Sequence, residues 1–381
     1  MRMGRWARLL LVGVTLLAGC KGFWDPVSSS SSATTTTTTL SSGYFYILDT
    51  ATSQLISYHI VSGTLTQVAS YAVESTPIAM AVAPNGNFLY VSTISGIYVY
   101  TIASGVLTLG NSSSIITSNP ATAMQVDSSN SWLVESSGAG ALNAIPIHST
   151  TGALNSSYSE QQVTLSATTV NQLAFSANNA YVFAALGSSG TKEFSFSSSS
   201  SIPLGSSATA SIGLKGSSAL SVAVDPSDRL VYVGETAVTT GSNSGGLRAF
   251  SLNVSTGALS EISVSPLSSG GLGPYSILPK STGDYIYVAN WTGQSSDGNI
   301  ASFEITASGS SYTLTKLSST ATTGIRPMSL AEDSTGDFVL AACSGGSPYF
   351  DAYLFDSSTA GQLDTTLTSS SYAAASVAAV P

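Results

Sequence analysis

The sequence predicts an all-β fold, a single seven-bladed β-propeller with four-stranded antiparallel blades. Three observations carry that prediction: a composition made for strands and turns, a strand–turn–strand unit recurring at blade spacing, and two chain ends that are each incomplete alone. Of 381 residues, 43% are hydrophobic and only 8% charged, and much of the rest is Ser, Thr and Gly. That mixture suits short strands joined by tight turns and lacks the blocks of charged helix formers.

Taken in chain order, Met1–Arg8 holds three arginines, Leu9–Leu17 is apolar, and Leu17-Ala18-Gly19-Cys20 follows. A basic region, a short apolar core and small residues before a cysteine make residues 1–20 a secretory signal with Cys20 as the lipidation site. The apolar run is too short to span a hydrocarbon core, which asks for roughly 20 residues. The lipid would therefore anchor the protein to a membrane, placing it in the cell envelope outside the cytoplasm. Residues 21–42, with the runs SSSSS and TTTTTT, have little to bury and are expected to form a disordered tether.

The propeller is assigned to residues 43–381. Pro77–Thr93, Ala219–Glu235 and Pro274–Asn290 share one form: an apolar strand, a turn rich in Pro, Asn, Asp, Ser and Gly, then a strand reading LYV, VYV or IYV. Gly86 and Gly283 fall where such a turn needs positive φ. A third strand starts at Gly96, Gly246 or Asn299, and a turn such as Ser255–Ser260 leads to a more polar fourth. Inner strands begin near Pro77, Pro120, Val170, Ala219, Pro274 and Pro327, with 43 residues separating Pro77 from Pro120 and 53 separating Pro274 from Pro327. The stretch 373–380 is a seventh inner strand with nothing after it, while the strands from Tyr44, Gln54 and Leu65 lack an inner partner. Joining them completes a blade and closes the ring, which removes an exposed sheet edge. The serine run Ser197–Ser201 reads as a loop inside one blade.

Formal net charge is −9. Removing Arg2, Arg5 and Arg8 from 11 basic residues leaves eight against 20 acidic, a net of −12. A surface of that sign repels phosphate backbones, so nucleic-acid binding is not expected. With Cys20 acylated, Cys343 has no disulfide partner, and its place at the end of an apolar strand reads as a buried structural thiol.

LYVST, VYVGE and IYVAN, each followed by another strand and a TGALS-type turn, resemble the YVTN-type and lactonase-like seven-bladed propellers over nearly all of residues 43–381. The resemblance implies a site at the mouth of the ring, and in the lactonases an Arg, His and Glu chemistry there. One pattern of that group, Gly-x-Gly-Pro-Arg-His before an inner strand with Asn-Glu ending the next, falls here on Gly271-Leu272-Gly273-Pro274-Tyr275-Ser276 and on Asn290-Trp291. Tyrosine and serine replace Arg-His, and tryptophan replaces the acid.

The loops entering the first strand of each blade and joining its second to its third share the mouth face. They carry Glu74, Glu135, Glu235, Tyr275, Asn290, Trp291 and Arg326, of which Glu74, Tyr275, Asn290, Trp291 and Arg326 are the binding candidates. A guanidinium offers a planar fork to a carboxylate or lactone carbonyl, making Arg326, with Glu235 or Glu135, the candidate catalytic set. The structural alternative pairs Arg326 with Glu332 or Glu235. Trp291, Tyr275 and Tyr349 could form an aromatic platform for a sugar or peptide. His59 and His148 sit on the far face or outer strands, without metal-site spacing. Asp225–Asp228 and Asp297–Asn299 offer oxygens to calcium but fit ordinary turns better. No cofactor or metal is expected. The leading expectation is a monomeric, membrane-tethered propeller binding a protein or carbohydrate ligand at its mouth; the alternative is a 6-phosphogluconolactonase-like lactone hydrolase.

Overall fold

The computed structural model describes residues 41–381 except 111–119, 138–139, 156–160, 166–168, 206–211, 243, 292–297, 322–323, 346–348 and 371–373. The signal segment with Cys20 and most of the expected tether lie outside the described residues.

The described strands, numbered in chain order, form seven antiparallel sheets. Three strands open blade 1: β1 (Phe45–Asp49), β2 (Gln54–Val61) and β3 (Thr64–Ala72). Blade 2 holds β4 (Pro77–Val82), β5 (Phe88–Thr93), β6 (Gly96–Ala103) and β7 (Val106–Leu109). Blade 3 holds β8 (Ala121–Val126), β9 (Trp132–Ser137), β10 (Ala141–Pro146) and β11 (Gln161–Thr164). Blade 4 consists of β12 (Gln172–Phe175), β13 (Tyr181–Ala185) and β14 (Thr191–Ser195). Blade 5 holds β15 (Ala219–Val224), β16 (Leu230–Glu235), β17 (Gly246–Leu252), β18 (Leu259–Glu261) and β19 (Leu267–Ser268). Blade 6 is β20 (Gly273–Pro279), β21 (Tyr285–Trp291), β22 (Asn299–Ser308) and β23 (Ser311–Ala321). Blade 7 is β24 (Ile325–Glu332), β25 (Phe338–Gly345), β26 (Phe350–Phe355) and β27 (Leu363–Ser370). The last strand, β28 (Ala374–Ala379), returns to blade 1 and gives it the order β28-β1-β2-β3, pairing Phe45 with Ala379 and Ile47 with Val377. The ring is thus closed by the strand the sequence reserves for it. The inner strands β4, β8, β12, β15, β20, β24 and β28 each lie beside the next around the ring.

Among the described residues, blade 4 shows three strands and blade 5 a divided outer strand. After β14 the chain turns through the serine run, with Ser200 N bonded to Ser197 O, and among the described residues meets blade 4 again in isolated bridges, Phe196 with Leu204 and Thr191 with Ile212. In blade 5 the outer strand is split into β18 and β19, both paired to β17, around Pro266, which has no N–H to give a ladder.

The core is not one mass but seven apolar layers, one in each interface between neighbouring blades. Period-two alternation sends successive side chains of one strand into different layers. On β5, Leu89 and Val91 pack toward blade 1, whereas Phe88 and Tyr90 pack toward blade 3. Strands sandwiched this way are buried on both faces, which is why LYV-type runs are continuously apolar.

The tyrosine of that run also locks the next blade. Tyr90 Oη donates to Gly152 O at 2.9 Å and Tyr287 Oη to Gly361 O at 3.1 Å, each carbonyl lying in the third-to-fourth-strand turn of the following blade. Gly152 has φ +68 and a Cβ there would overlap Phe88 of the preceding blade, so the turn needs glycine for both backbone and space.

On the face opposite the mouth, the first-to-second-strand turns of blades 3, 5 and 7 are each capped by an acid of their own, Asp127, Asp225 and Asp333. Asp333 Oδ1 accepts from Asp337 N and Phe338 N, and Asp127 Oδ1 accepts from Ser131 N and Trp132 N. These turns then bond their neighbours around the ring: Asn130 Oδ1 accepts from Asn85 N, and Asp228 takes Ala177 N and Asn178 N at 2.5 and 2.7 Å.

Candidate functional site

The inner strands enclose a central channel with a cavity of about 390 Å³. In blades 2, 5, 6 and 7 the register shifts by a residue near the start of the inner strand. Such a bulge re-aims one side chain, and Ile78, Tyr275 and Met328 sit at these points and line the channel.

Neighbouring inner strands share no backbone ladder, so small polar side chains satisfy their backbone groups. Thr122 Oγ1 donates to Val170 O at 2.9 Å, Asn171 Nδ2 to Ala219 O at 2.7 Å, and Ser329 Oγ to Val377 O at 3.3 Å. Gln172 Oε1 accepts from Val222 N at 3.1 Å and Ser276 Oγ from Leu330 N at 3.1 Å. These five polar side chains are in this way structural, whereas the buried Oε1 of Gln125, also lining the channel, has no hydrogen-bond partner. Among the described residues lining it there is no Asp, Glu, Lys, Arg or His.

The loops assigned to the mouth do come together, as in blade 2, where Ile94 N bonds Thr76 O and Ser75 Oγ meets Ser95 Oγ at 2.8 Å. At the rim between blades 6 and 7, Arg326, Trp291 and Tyr275 converge. The Arg326 guanidinium carbon is 5.1 Å from the centroid of the Trp291 ring, and that ring lies 6.4 Å from Tyr275. A guanidinium over an indole face is held by the ring quadrupole. Arg326 is exposed, forms none of the ion pairs among the described residues, and has φ +56. The other non-glycine residues at positive φ are Ser, Asn or Asp. Left-handed backbone on a long side chain costs about 1–2 kcal/mol.

The acids are placed otherwise. Glu332 pairs with Lys280 at 2.9 Å and accepts from Ser281 N, and Glu235 pairs with Arg248 at 2.9 Å, so neither meets Arg326 as the structural alternative supposed. Arg248 also bonds Glu261 at 2.5 Å, and Leu214 N donates to Glu235 Oε1 at 2.9 Å, which leaves Glu235 only 1% exposed. Glu135 is fully buried and accepts from Asn143 Nδ2. Glu74 is exposed beside Tyr98, whose phenol is pushed upward by burial first and by the Glu74 charge and hydrogen bond second. Asn290 is buried and its amide holds Ser269 O at 2.7 Å and Asn299 Oδ1 at 3.2 Å, a brace for the rim loop rather than part of its surface. Tyr349 packs into the core layer between blades 7 and 1 and does not join the aromatic pair.

Cys343 is buried in β25. His59 stacks on Tyr44 at 5.3 Å, and His148 lies in the turn after β10. Asp225 caps its turn and pairs with Arg229 at 2.6 Å, while Asp297 lies outside the described residues. Sequence reasoning missed Arg248 and Glu193. The signal for Arg248 was a charge in mid-strand between Leu247 and Ala249, and for Glu193 a charge in the middle of a strand, in a chain with few charges at all.

A family model described as a lactonase, seven-bladed β-propeller, matches residues 231–348. The folded chain superposes on a Bacteroides uniformis structure described as a candidate 6-phosphogluconolactonase with a TM-score of 0.70 at 19% identity, covering 88% of this chain and 99% of that one. The periplasmic gluconolactonase of Pseudomonas aeruginosa gives 0.67 at 18% identity over 90% of this chain and 100% of that one. A Lactobacillus plantarum protein gives 0.69 at 17% identity over 89% and 99%. No curated protein matches. Fold and closure define the class, a seven-bladed β-propeller with its ring sealed by the chain ends. Within that class, the likeness to lactonases rests on residues 231–348 and on structures that share the fold at under 20% identity.

Proposed function

We propose that this propeller is a binding module that presents its mouth outside the cytoplasm, tethered to a membrane through Cys20. The observation that carries the reading is the contrast between rim and channel. Arg326, Trp291 and Tyr275 offer an exposed cation on an aromatic pair, whereas the described residues lining the channel include no acid, base or imidazole, and Glu235 and Glu135 are occupied internally. A ring or flat side chain can stack on Trp291 while Arg326 takes an acceptor group, a combination suited to a carbohydrate or a protein segment.

The second reading is a lactone hydrolase, favoured by the lactonase match over residues 231–348 and by the likeness to a gluconolactonase. It requires water to add to a lactone carbonyl polarised by Arg326, with a base to take the proton and the ring C–O bond breaking. The test is hydrolysis of a panel of sugar lactones by the purified protein beside Arg326→Ala, with intrinsic tryptophan fluorescence, compared with that of Trp291→Phe, as the binding readout. Fluorescence titration without turnover supports the binding module. Turnover that disappears in Arg326→Ala replaces it with the hydrolase.

A further inference from the structure

One buried acid has no role in the mouth, the channel or any ion pair. Glu193, on β14 of blade 4, is 4% exposed, and its Oε2 has no hydrogen-bond partner. It faces blade 5, where Gly257 in the turn between β17 and β18 lies against it so closely that a Cβ there would overlap Glu193 Oε1 and Tyr181. Tyr181 ties the same turn to blade 4, its Oη donating to Val254 O at 3.3 Å. Around the acid are the apolar residues of the layer between blades 4 and 5.

The charges facing this seam are already committed. On blade 5, Arg248 is held by Glu235 and Glu261, and Asp228 by Ala177 N and Asn178 N. On blade 4, Lys192 alternates with Glu193 along β14, on the side of Phe194, which packs toward blade 3. Tyr181 is the one further titratable group at the acid, and its phenol is raised by burial and then by the Glu193 charge. Among the described residues no ion pair offsets an ionised Glu193. Burial alone pushes its carboxyl up to about 7.

We propose that Glu193 is a proton-operated latch on the seam between blades 4 and 5: neutral, it lets the turn 253–258 seat on β14; ionised, it draws water in and lifts that turn. The sign is fixed by the chemistry. A carboxyl raised in the closed seam and ordinary in the open one favours closure at low pH. That preference falls as pH rises from about 4.5 and is gone above about 7.

The test is hydrogen exchange of the purified protein read by mass spectrometry at pH 5.5 and 8.5, after correction for intrinsic exchange. For values of about 7 and 4.5, the opening equilibrium of peptides covering 191–195 and 253–258 should rise about 30-fold across that range. Peptides from β9 and β10 should not change. Glu193→Gln, which keeps the shape and cannot ionise, should abolish the rise. If that variant does not fold, Glu193→Leu carries the same expectation. A wild-type seam with equal protection at both pH values, or a rise that persists in the non-ionising variant, overturns the latch.

Discussion

Arg248→Met is the sharpest probe of how this ring holds charge. The guanidinium is 8% exposed, bonded to Glu235 at 2.9 Å and to Glu261 at 2.5 Å. Removing it leaves Glu235, 1% exposed, with Leu214 N as the donor that remains in the structure. A buried carboxylate stripped of its counter-ion costs about 3–5 kcal/mol. Glu261 is a third exposed and returns to water at a cost of under about 1 kcal/mol. Methionine restores part of the lost packing, so the expected loss is about 3 kcal/mol, or roughly 4 °C in Tm for a domain of this size. Urea unfolding and scanning calorimetry at pH 7.5 measure it. Adding Glu235→Gln to Arg248→Met should recover about half of the loss, because the orphaned charge is then gone. A single variant within about 0.5 kcal/mol of wild type, or a double variant whose losses simply add, refutes the reasoning.

Further outcomes follow from the same structure. Deleting residues 374–381 removes the inner strand of blade 1 and exposes the edge of β1, so the product should elute as aggregate in size-exclusion chromatography, and a monomer with unchanged Tm would count against closure. Gly361→Ala puts a methyl into Tyr285 at φ +77, whereas Gly309→Ala meets no atom within 4 Å at φ +62. The second should cost about 1 kcal/mol of backbone strain and the first clearly more, read as the difference in Tm. Cys343 should react with a thiol reagent only at the rate of unfolding, and fast labelling under native conditions would show that β25 opens.

How much was readable from the sequence varies with the range of the interaction. The repeat that sets β5, β16 and β21 between apolar layers was plain, because burial on both faces writes itself as LYV, VYV and IYV. The glycine turns were plain too, since Gly86 and Gly283 take φ of +70 and +78. The convergence of Tyr275, Trp291 and Arg326 followed from loop position, a local property of each blade. The partners of the charged groups were not readable. Glu332 meets Lys280 across the boundary of blades 6 and 7, and Glu235 is taken by Arg248 on the adjoining strand β17 rather than by Arg326 of blade 7.

The amino-acid order alone determined seven repeats, their strand periodicity and the pairing of chain ends, because hydrophobic alternation and turn chemistry act over a few residues and are printed in every blade. The tertiary structure decided which acids are bound internally, that Tyr349 belongs to the core, and that Glu193 lies unpartnered in a seam. Those outcomes depend on the twist and register with which one blade meets the next, and on the low-dielectric space left between them, which no local pattern encodes.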